Sequence, residues 1–199
     1  MHVNSDDLTR TNSAGLWSAL IAPRPVFLVA TQNADGICNI APYSSVALIS
    51  VNPPMVSISF GEGRGRRKNT LANILATRHF SLNVVPRSLA AIANTSAEGV
   101  SIEDDFDRLE LTRTSFTRSP AQSIAESPAS IACELVQLIA IEGSSSSLIL
   151  CRCSEVIFDD HFSIGASFDP VSADLIASIG VEDYISLKGE AFTLPKPRE

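Results

Sequence analysis

The sequence predicts a mainly β protein, an antiparallel barrel with peripheral helices. Three observations carry that expectation. Short apolar or alternating segments, about six or seven of them, follow one another mostly in hairpin succession, with helical patterns inserted between them. No βαβαβ rhythm appears and no Gly-x-Gly-x-x-Gly opens a helix, which disfavours a parallel dinucleotide-binding sheet. Hydrophobic residues make up 45% of the 199-residue chain, enough for an independent core. Closing such a succession into a barrel hides its edge strands.

The elements follow in order. "VFLVAT" (26–31) is short, apolar and β-branched, as a buried strand is. "NADG" (33–36) comes next; Asp-Gly is a strong hairpin signal, and a second strand starts near Ile37. "APYSS" (41–45) is expected to interrupt it, because Pro42 removes a ladder donor. "VALIS" (46–50) resumes the apolar pattern. After the "NPP" turn (52–54), "MVSISF" alternates, with Val56, Ile58 and Phe60 on one face and Ser57 and Ser59 on the other. "TLANILATRHF" places Leu71, Ile74, Leu75 and Arg78 at helical spacing, and "FSLNVV" returns to period two. A helix is expected over 88–97, an acidic surface helix over 101–111 and an extended connection over 112–128. "SIACELVQLIAIEG" and "SLILCRCSEVIFDD" form a long hairpin whose loop is "SSSS" (144–147). "YISLKGEAF" (184–192) is the last strand. No repeat and no linker interrupts the chain, so a single domain over 1–199 is expected, with its core over about 20–195.

Composition excludes several function classes. The chain carries 15 Lys and Arg against 22 Asp and Glu, a net charge of −7. Nucleic acid and anionic membranes both favour a broadly basic surface, so neither is an expected partner. The polar start "MHVNSDDLTRTNSAG" lacks the basic and apolar regions of a signal peptide. No apolar run approaches the roughly 18 residues of a bilayer span. A soluble, cytoplasmic protein is expected. Its four cysteines, Cys38, Cys133, Cys151 and Cys153, read as reduced thiols in or near the core, with the two of "CRC" on one face of a strand. No second Cys or His pair lies at zinc-ligand spacing, and His2, His79 and His161 are scattered, so no metal site is expected.

One stretch runs against the acidic balance. "GEGRGRRKNT" (61–70) gathers Arg64, Arg66, Arg67 and Lys68 between a strand and a helix. Its glycines permit conformations that bring backbone N–H groups together. Asn69 or Thr70 suits the helix N-cap, and a helix N-terminus favours phosphate. Arg64 and Lys68 would add charge-assisted hydrogen bonds, and the Thr70 hydroxyl one more. The stretch therefore suits a phosphate monoester, although it is not a Walker loop. Taken alone, it also fits a solvated charge run.

A longer pattern bears on that choice. "PRPVFLVATQNADGICNIAPYSSVALISVNPPMVSISF", followed by "KNTLANI" and "FSLNVV", resembles the flavin reductase-like, FMN-binding split-barrel family. The match comprises Pro23–Pro25, Gly36, Asn39–Ser44, Pro53–Pro54, Lys68–Thr70 and Asn73–Ile74, in order and at fitting spacing. Downstream, "ESPASIAC", Tyr184 and "FTLPKP" fit more loosely. The resemblance implies a six-stranded antiparallel split β-barrel of Greek-key type, forming a homodimer with one FMN per subunit near the interface. Carried over by position, Arg64, Lys68 and Thr70 are phosphate ligands. Asn39, Ala41 and Ser44 lie along the flavin, Thr31 and Gln32 approach its ring or ribityl chain, and Ser59 and Phe60 lead into the site. Each residue also has a plainer role: Asn39 as a turn cap, Ser44 as a local backbone partner, Phe60 as core.

Three departures from the pattern stand out. Lys-Asp-Thr is Lys68-Asn69-Thr70, Ala132 occupies the position of a Glu, and an Arg near the C-terminus is absent from "LIASIGVEDY". The last two bear on the substrate side more than on the flavin. No Ser-His-Asp set competes with flavin chemistry, in which the cofactor carries the electrons and the protein binds and orients it. The implied activity is NAD(P)H-dependent flavin reduction or flavin-mediated electron transfer, with a partner oxygenase as one possible recipient of the reduced flavin. A flavoredoxin-like carrier, a non-enzymatic phosphate- or anion-binding module and a barrel whose flavin site has decayed are the alternatives.

Overall fold

Seven strands form one antiparallel sheet in the computed structural model, which describes residues 2, 4, 13–61, 69–98, 103–189 and 191. In chain order the elements are α1 (Ser13–Leu20), β1 (Arg24–Pro25), β2 (Phe27–Gln32), β3 (Cys38–Tyr43), β4 (Val46–Val51), β5 (Pro54–Phe60), α2 (Asn69–Thr77), β6 (His79–Val84), α3 (Ala90–Ser96), α4 (Asp105–Arg108), β7 (Arg113–Ser115), β8 (Gln122–Ile124), β9 (Ala129–Ala140), β10 (Ser147–Phe158), β11 (Ser163–Ile164), β12 (Ser167–Phe168), β13 (Ile176–Ser178) and β14 (Tyr184–Ser186). The large sheet runs β3-β2-β6-β9-β10-β5-β4.

The two edges of that sheet, β3 and β4, are consecutive in the chain, and only Ser44 and Ser45 separate them. One face of all seven strands encloses a single core, with Tyr43, Val29, Phe80, Leu82, Leu135, Ile149, Val56, Ile58 and Val46 buried together. Leu71 and Ile74 of α2 belong to the same core. The sheet is thus rolled into a barrel that stays open between β3 and β4, a split barrel. Seven strands appear rather than six because the bend at Ser44–Ser45 divides the stretch from Cys38 to Val51 into two, sent to opposite edges.

The edge position also explains why Pro42 does not interrupt β3. Cys38 and Ile40 turn their N–H groups away from β2 and toward α4, to the carboxylates of Asp104 at 2.9 Å and Asp105 at 2.7 Å. Alternation puts position 42 in the same outward set, where a missing donor costs the ladder nothing. The acidic stretch expected as a surface helix therefore has a different role. Only Asp105–Arg108 is helical among its described residues, Asp105 is 5% exposed and Phe106 is buried. Its two carboxylates stand in for a neighbouring strand. Arg113 meets Asp104 at 2.5 Å and Arg108 meets Asp105 at 2.8 Å, compensating the partly buried charges.

The outer face of β2 and β3 packs Leu28, Ala30, Cys38 and Ile40 against Leu89, Ala93, Phe106 and Ile124. The expected extended connection over 112–128 contains the paired strands β7 and β8. They are joined to the barrel through Asn83, which is fully buried. Its amide donates to the Leu28 carbonyl and the Ser81 hydroxyl, each at 2.9 Å. Its carbonyl accepts from Ile124 N–H at 3.0 Å and the Ser130 hydroxyl at 2.8 Å. The final strand is shorter than expected: β14 covers Tyr184–Ser186 and pairs with β13 in a separate three-stranded sheet with β1. Arg24 joins that sheet through hydrogen bonds to the Ser178 hydroxyl at 2.8 Å and the Gly180 carbonyl at 2.9 Å. Among the described residues no helix is long and apolar enough to cross a membrane.

Candidate functional site

The register of β2 against β3 pairs Thr31 with Asn39, Val29 with Ala41 and Phe27 with Tyr43. Alternation places Asn39, Ala41 and Tyr43 on the face that α2 covers. Two side-chain bridges then join the start of α2 to these strands. The Asn39 amide donates to the Thr70 hydroxyl at 3.0 Å, and the Asn73 amide donates to the Thr31 hydroxyl at 3.1 Å. Thr31 closes the circuit by donating to the Asn39 carbonyl at 3.3 Å. Residues 70 and 73 can share these strands because positions three apart lie on one helix face. Burial pushes the Tyr43 phenol up to about 12, with Thr70 acting against the rise.

Thr70 is 2% exposed, and its hydroxyl accepts from Asn39. The helix start also has its backbone to offer a ligand. The first N–H groups of an α-helix have no partner within the helix, and the first turn of α2 contains no acidic residue to oppose an anion. That end carries positive potential. Arg64, Arg66, Arg67 and Lys68, which precede it, lie outside the described residues.

The remaining expected site residues divide into two groups. Ser44 sits half-buried at the bend between β3 and β4. Ser59 is held beside it through Ser45, whose hydroxyl donates to the Ser59 carbonyl at 2.7 Å and whose carbonyl accepts the Ser59 N–H at 3.2 Å. Phe60 points inward: it is 2% exposed, with its ring 5.0 Å from that of Tyr43. Gln32 turns toward the β2–β3 hairpin and donates to the Gly36 carbonyl at 2.7 Å. Gly36 has φ +87°, a conformation that favours glycine, so the Asp-Gly signal marks a real turn. The structure thus brings Thr31, Asn39, Ala41 and Thr70 together, places Ser44 and Ser59 at the bend, buries Phe60 against the Tyr43 ring and turns the Gln32 amide to the hairpin.

Sequence reasoning missed Tyr43 and Asn73 as members of the cluster. Both lie inside the stretches that carry the family resemblance, which was the available signal. A cavity of about 200 Å³ adjoins the cluster through Thr31, with Gln32, Thr77, His79, Phe80 and Gln122 also in its wall. Among the described residues no group of His, Cys, Asp and Glu is arranged to hold a metal ion.

Residues 20–165 match the model of the flavin reductase like domain. The chain belongs to this family. The uncharacterized protein YwrF of Bacillus subtilis is 32% identical over 123 residues, which is 62% of this chain and 57% of YwrF, so the match spans a little over half of that relative. Component B of nitrilotriacetate monooxygenase from Bacillus cereus has the same fold, with a TM-score of 0.90, 24% identity and coverage of 98% of each chain. Flavoredoxin of Desulfovibrio vulgaris superposes with a TM-score of 0.73 at 19% identity, covering 87% of this chain and 90% of its own. The barrel opened between β3 and β4 is the split barrel of the family.

Proposed function

We propose that this flavin reductase-like protein binds FMN and acts as an oxidoreductase, taking electrons from NAD(P)H through the flavin. The observation that carries the reading is the clamp of Asn39 and Thr31 on Thr70 and Asn73. It fixes an unopposed helix N-terminus beside an edge strand, directly after a stretch of sequence rich in arginine and lysine. The residues present fit the group: a phosphate monoester would meet the first-turn N–H groups of α2 together with Arg64 and Lys68. Ala41, Ser44 and Ser59 would contact the flavin itself. Flavin supplies hydride and electron chemistry when bound. The chain's own part is to orient it, through the rigid β3–α2 junction, and to shape the cavity beside Thr31 and His79 for a second reactant.

A homodimer is part of this reading, with the flavin site near the contact between copies. Two recipients of the electrons are compatible with the geometry. The similarity to a monooxygenase component favours delivery of reduced flavin to an oxygenase. The similarity to a flavoredoxin supports a second reading, in which the protein holds FMN as an electron carrier. Purification followed by a visible spectrum, and then by NADH and NADPH oxidation assays with added FMN, tests the proposal. Retained or titratable flavin with steady nicotinamide consumption supports reductase activity. Bound flavin without nicotinamide consumption supports the carrier, and no flavin binding at all rejects both.

A further inference from the structure

Three of the four cysteines, Cys133, Cys151 and Cys153, meet in the barrel core. Cys133 on β9 lies directly opposite Cys153 on β10. Directly opposed residues of an antiparallel pair hold their Cβ atoms about 4.5–5.5 Å apart. A disulfide spans about 3.5–4.5 Å between Cβ atoms and about 4.4–6.8 Å between Cα atoms. A small adjustment of the two strands therefore suffices to join this pair.

The two positions differ in access. β5 pairs with β10 only from Ser147 to Arg152, so the barrel wall on that side ends one residue before Cys153. Cys133 is flanked on its other side by Phe80 of β6 and is fully buried, whereas Cys153 is partly exposed. Cys153 stands at an opening, with Cys133 behind it. Their ionisation follows the same asymmetry. The Cys133 thiol, which donates to the Ile131 carbonyl at 3.8 Å, also favours ionised Cys153 and lowers its pKa, against the effect of burial. The neighbouring Cys153, together with burial, raises Cys133. Burial and the neighbouring Cys153 charge push Cys151 up to about 12.

We propose that Cys153 is a peroxide-reactive thiol and that Cys133 resolves it to an intrachain disulfide. In the first step the Cys153 sulfur attacks one oxygen of a hydroperoxide. The O–O bond breaks, and hydroxide leaves and takes up a proton as water, with Cys153 left as a sulfenic acid. In the second step the Cys133 sulfur, giving up its proton, attacks the Cys153 sulfur. The S–O bond breaks, and the hydroxyl leaves as a second water. Two thiols and one hydrogen peroxide become one disulfide and two waters, with two electrons passing from the dithiol to the peroxide. This site does not depend on the flavin reading.

The test treats the full chain with stoichiometric hydrogen peroxide, quenches with catalase, denatures and counts thiols. The expected result is a fall from the four thiols of the sequence to two. Dithiothreitol should restore them, a non-reducing gel should show a monomer, and peptide mapping should find one cross-link, between the Cys133 and Cys153 peptides. Cys153→Ser should leave its three remaining thiols titratable. Cys133→Ser should accumulate a sulfenic acid at Cys153, trapped by dimedone. Cys151→Ser should form the same cross-link as the unmodified sequence. Four intact thiols, sulfinic acid at Cys153 without a cross-link, or a disulfide involving Cys38 or Cys151 would each overturn the proposal. Mapping of the unmodified sequence decides the matter even if a variant fails to fold.

Discussion

Asn39 on edge strand β3 donates its side-chain amide to the hydroxyl of Thr70, 3.0 Å away at the start of α2. The bond makes the position of the helix N-terminus depend on a strand residue that need not touch phosphate itself. Asn39→Ala should therefore weaken FMN binding about tenfold, since losing one buried hydrogen bond costs roughly 1–1.5 kcal/mol and 1.4 kcal/mol is a factor of ten. Riboflavin, which lacks the phosphate, should lose much less. Fluorescence titration of both ligands measures the ratio. Equal losses for the two would assign Asn39 to the ring side instead.

Asn83 is predicted to be a stability residue, not a binding one. Asn83→Leu would leave the Ser130 hydroxyl and the Ile124 N–H without their buried acceptor and the Leu28 carbonyl without a donor. A loss of about 3 kcal/mol is expected from such a network. Urea unfolding should show a lower midpoint at unchanged slope. Under native conditions the variant's FMN affinity should stay within about twofold of the unmodified chain, because the hydrogen bonds of Asn83 run to β2, β6, β8 and β9 and not to the α2 start.

Asp104 gives a pH dependence whose sign follows from its partners. Burial acts to raise its pKa, but the Cys38 N–H, the Arg113 guanidinium and the Phe106 N–H together hold it below the ordinary carboxylate value. Its contribution to stability is thus complete above the unfolded value of about 4 and is lost as pH falls through the lower folded value. Asp104→Asn should be less stable at neutral pH and should show a shallower decline in stability below about pH 4. An unchanged acid limb in the variant's unfolding curves would count against the pairing of α4 with β3.

The open side of the barrel bears on assembly. β4 is a sheet edge, and Leu48 is 68% and Val51 78% exposed there. Apolar edge strands tend to be covered by a partner. A C2 homodimer is expected, and Leu48→Lys with Val51→Lys should shift it toward monomer. Light scattering at micromolar concentration reads this directly; a monomeric, flavin-bound parent chain would refute it.

The strands of the barrel were legible because their signals are local. The alternation of Val56, Ile58 and Phe60, the Asp-Gly turn and the serine loop of the β9–β10 hairpin depend on neighbours in sequence. The errors came from long-range partners. Pro42 reads as a strand breaker until β3 is known to be an edge. Asp104 and Asp105 read as a solvated helix until their acceptors are seen to meet Cys38 and Ile40, some 65 residues away. The family pattern singled out Asn39, Ala41 and Thr70, which the fold places together at the β3–α2 junction. Gln32 also closes its hairpin, and Phe60 also fills the core beside Tyr43. Nothing in a single sequence states that Asn73 reaches Thr31.

The α2 start and the basic stretch of sequence before it are proposed as a phosphate site for FMN. Its most direct test is a titration of flavin-free protein with FMN and with riboflavin at fixed salt, repeated for Lys68→Ala, Arg64→Ala and Arg67→Ala. Hydrogen bonds to charged groups contribute roughly 1.5–3 kcal/mol each. The expected result is tighter binding of FMN than of riboflavin, a ten- to hundredfold loss of FMN affinity in Lys68→Ala and Arg64→Ala, little change in Arg67→Ala, and riboflavin affinity unchanged throughout. Equal affinity for the two flavins, or an FMN affinity indifferent to Lys68 and Arg64, would contradict it.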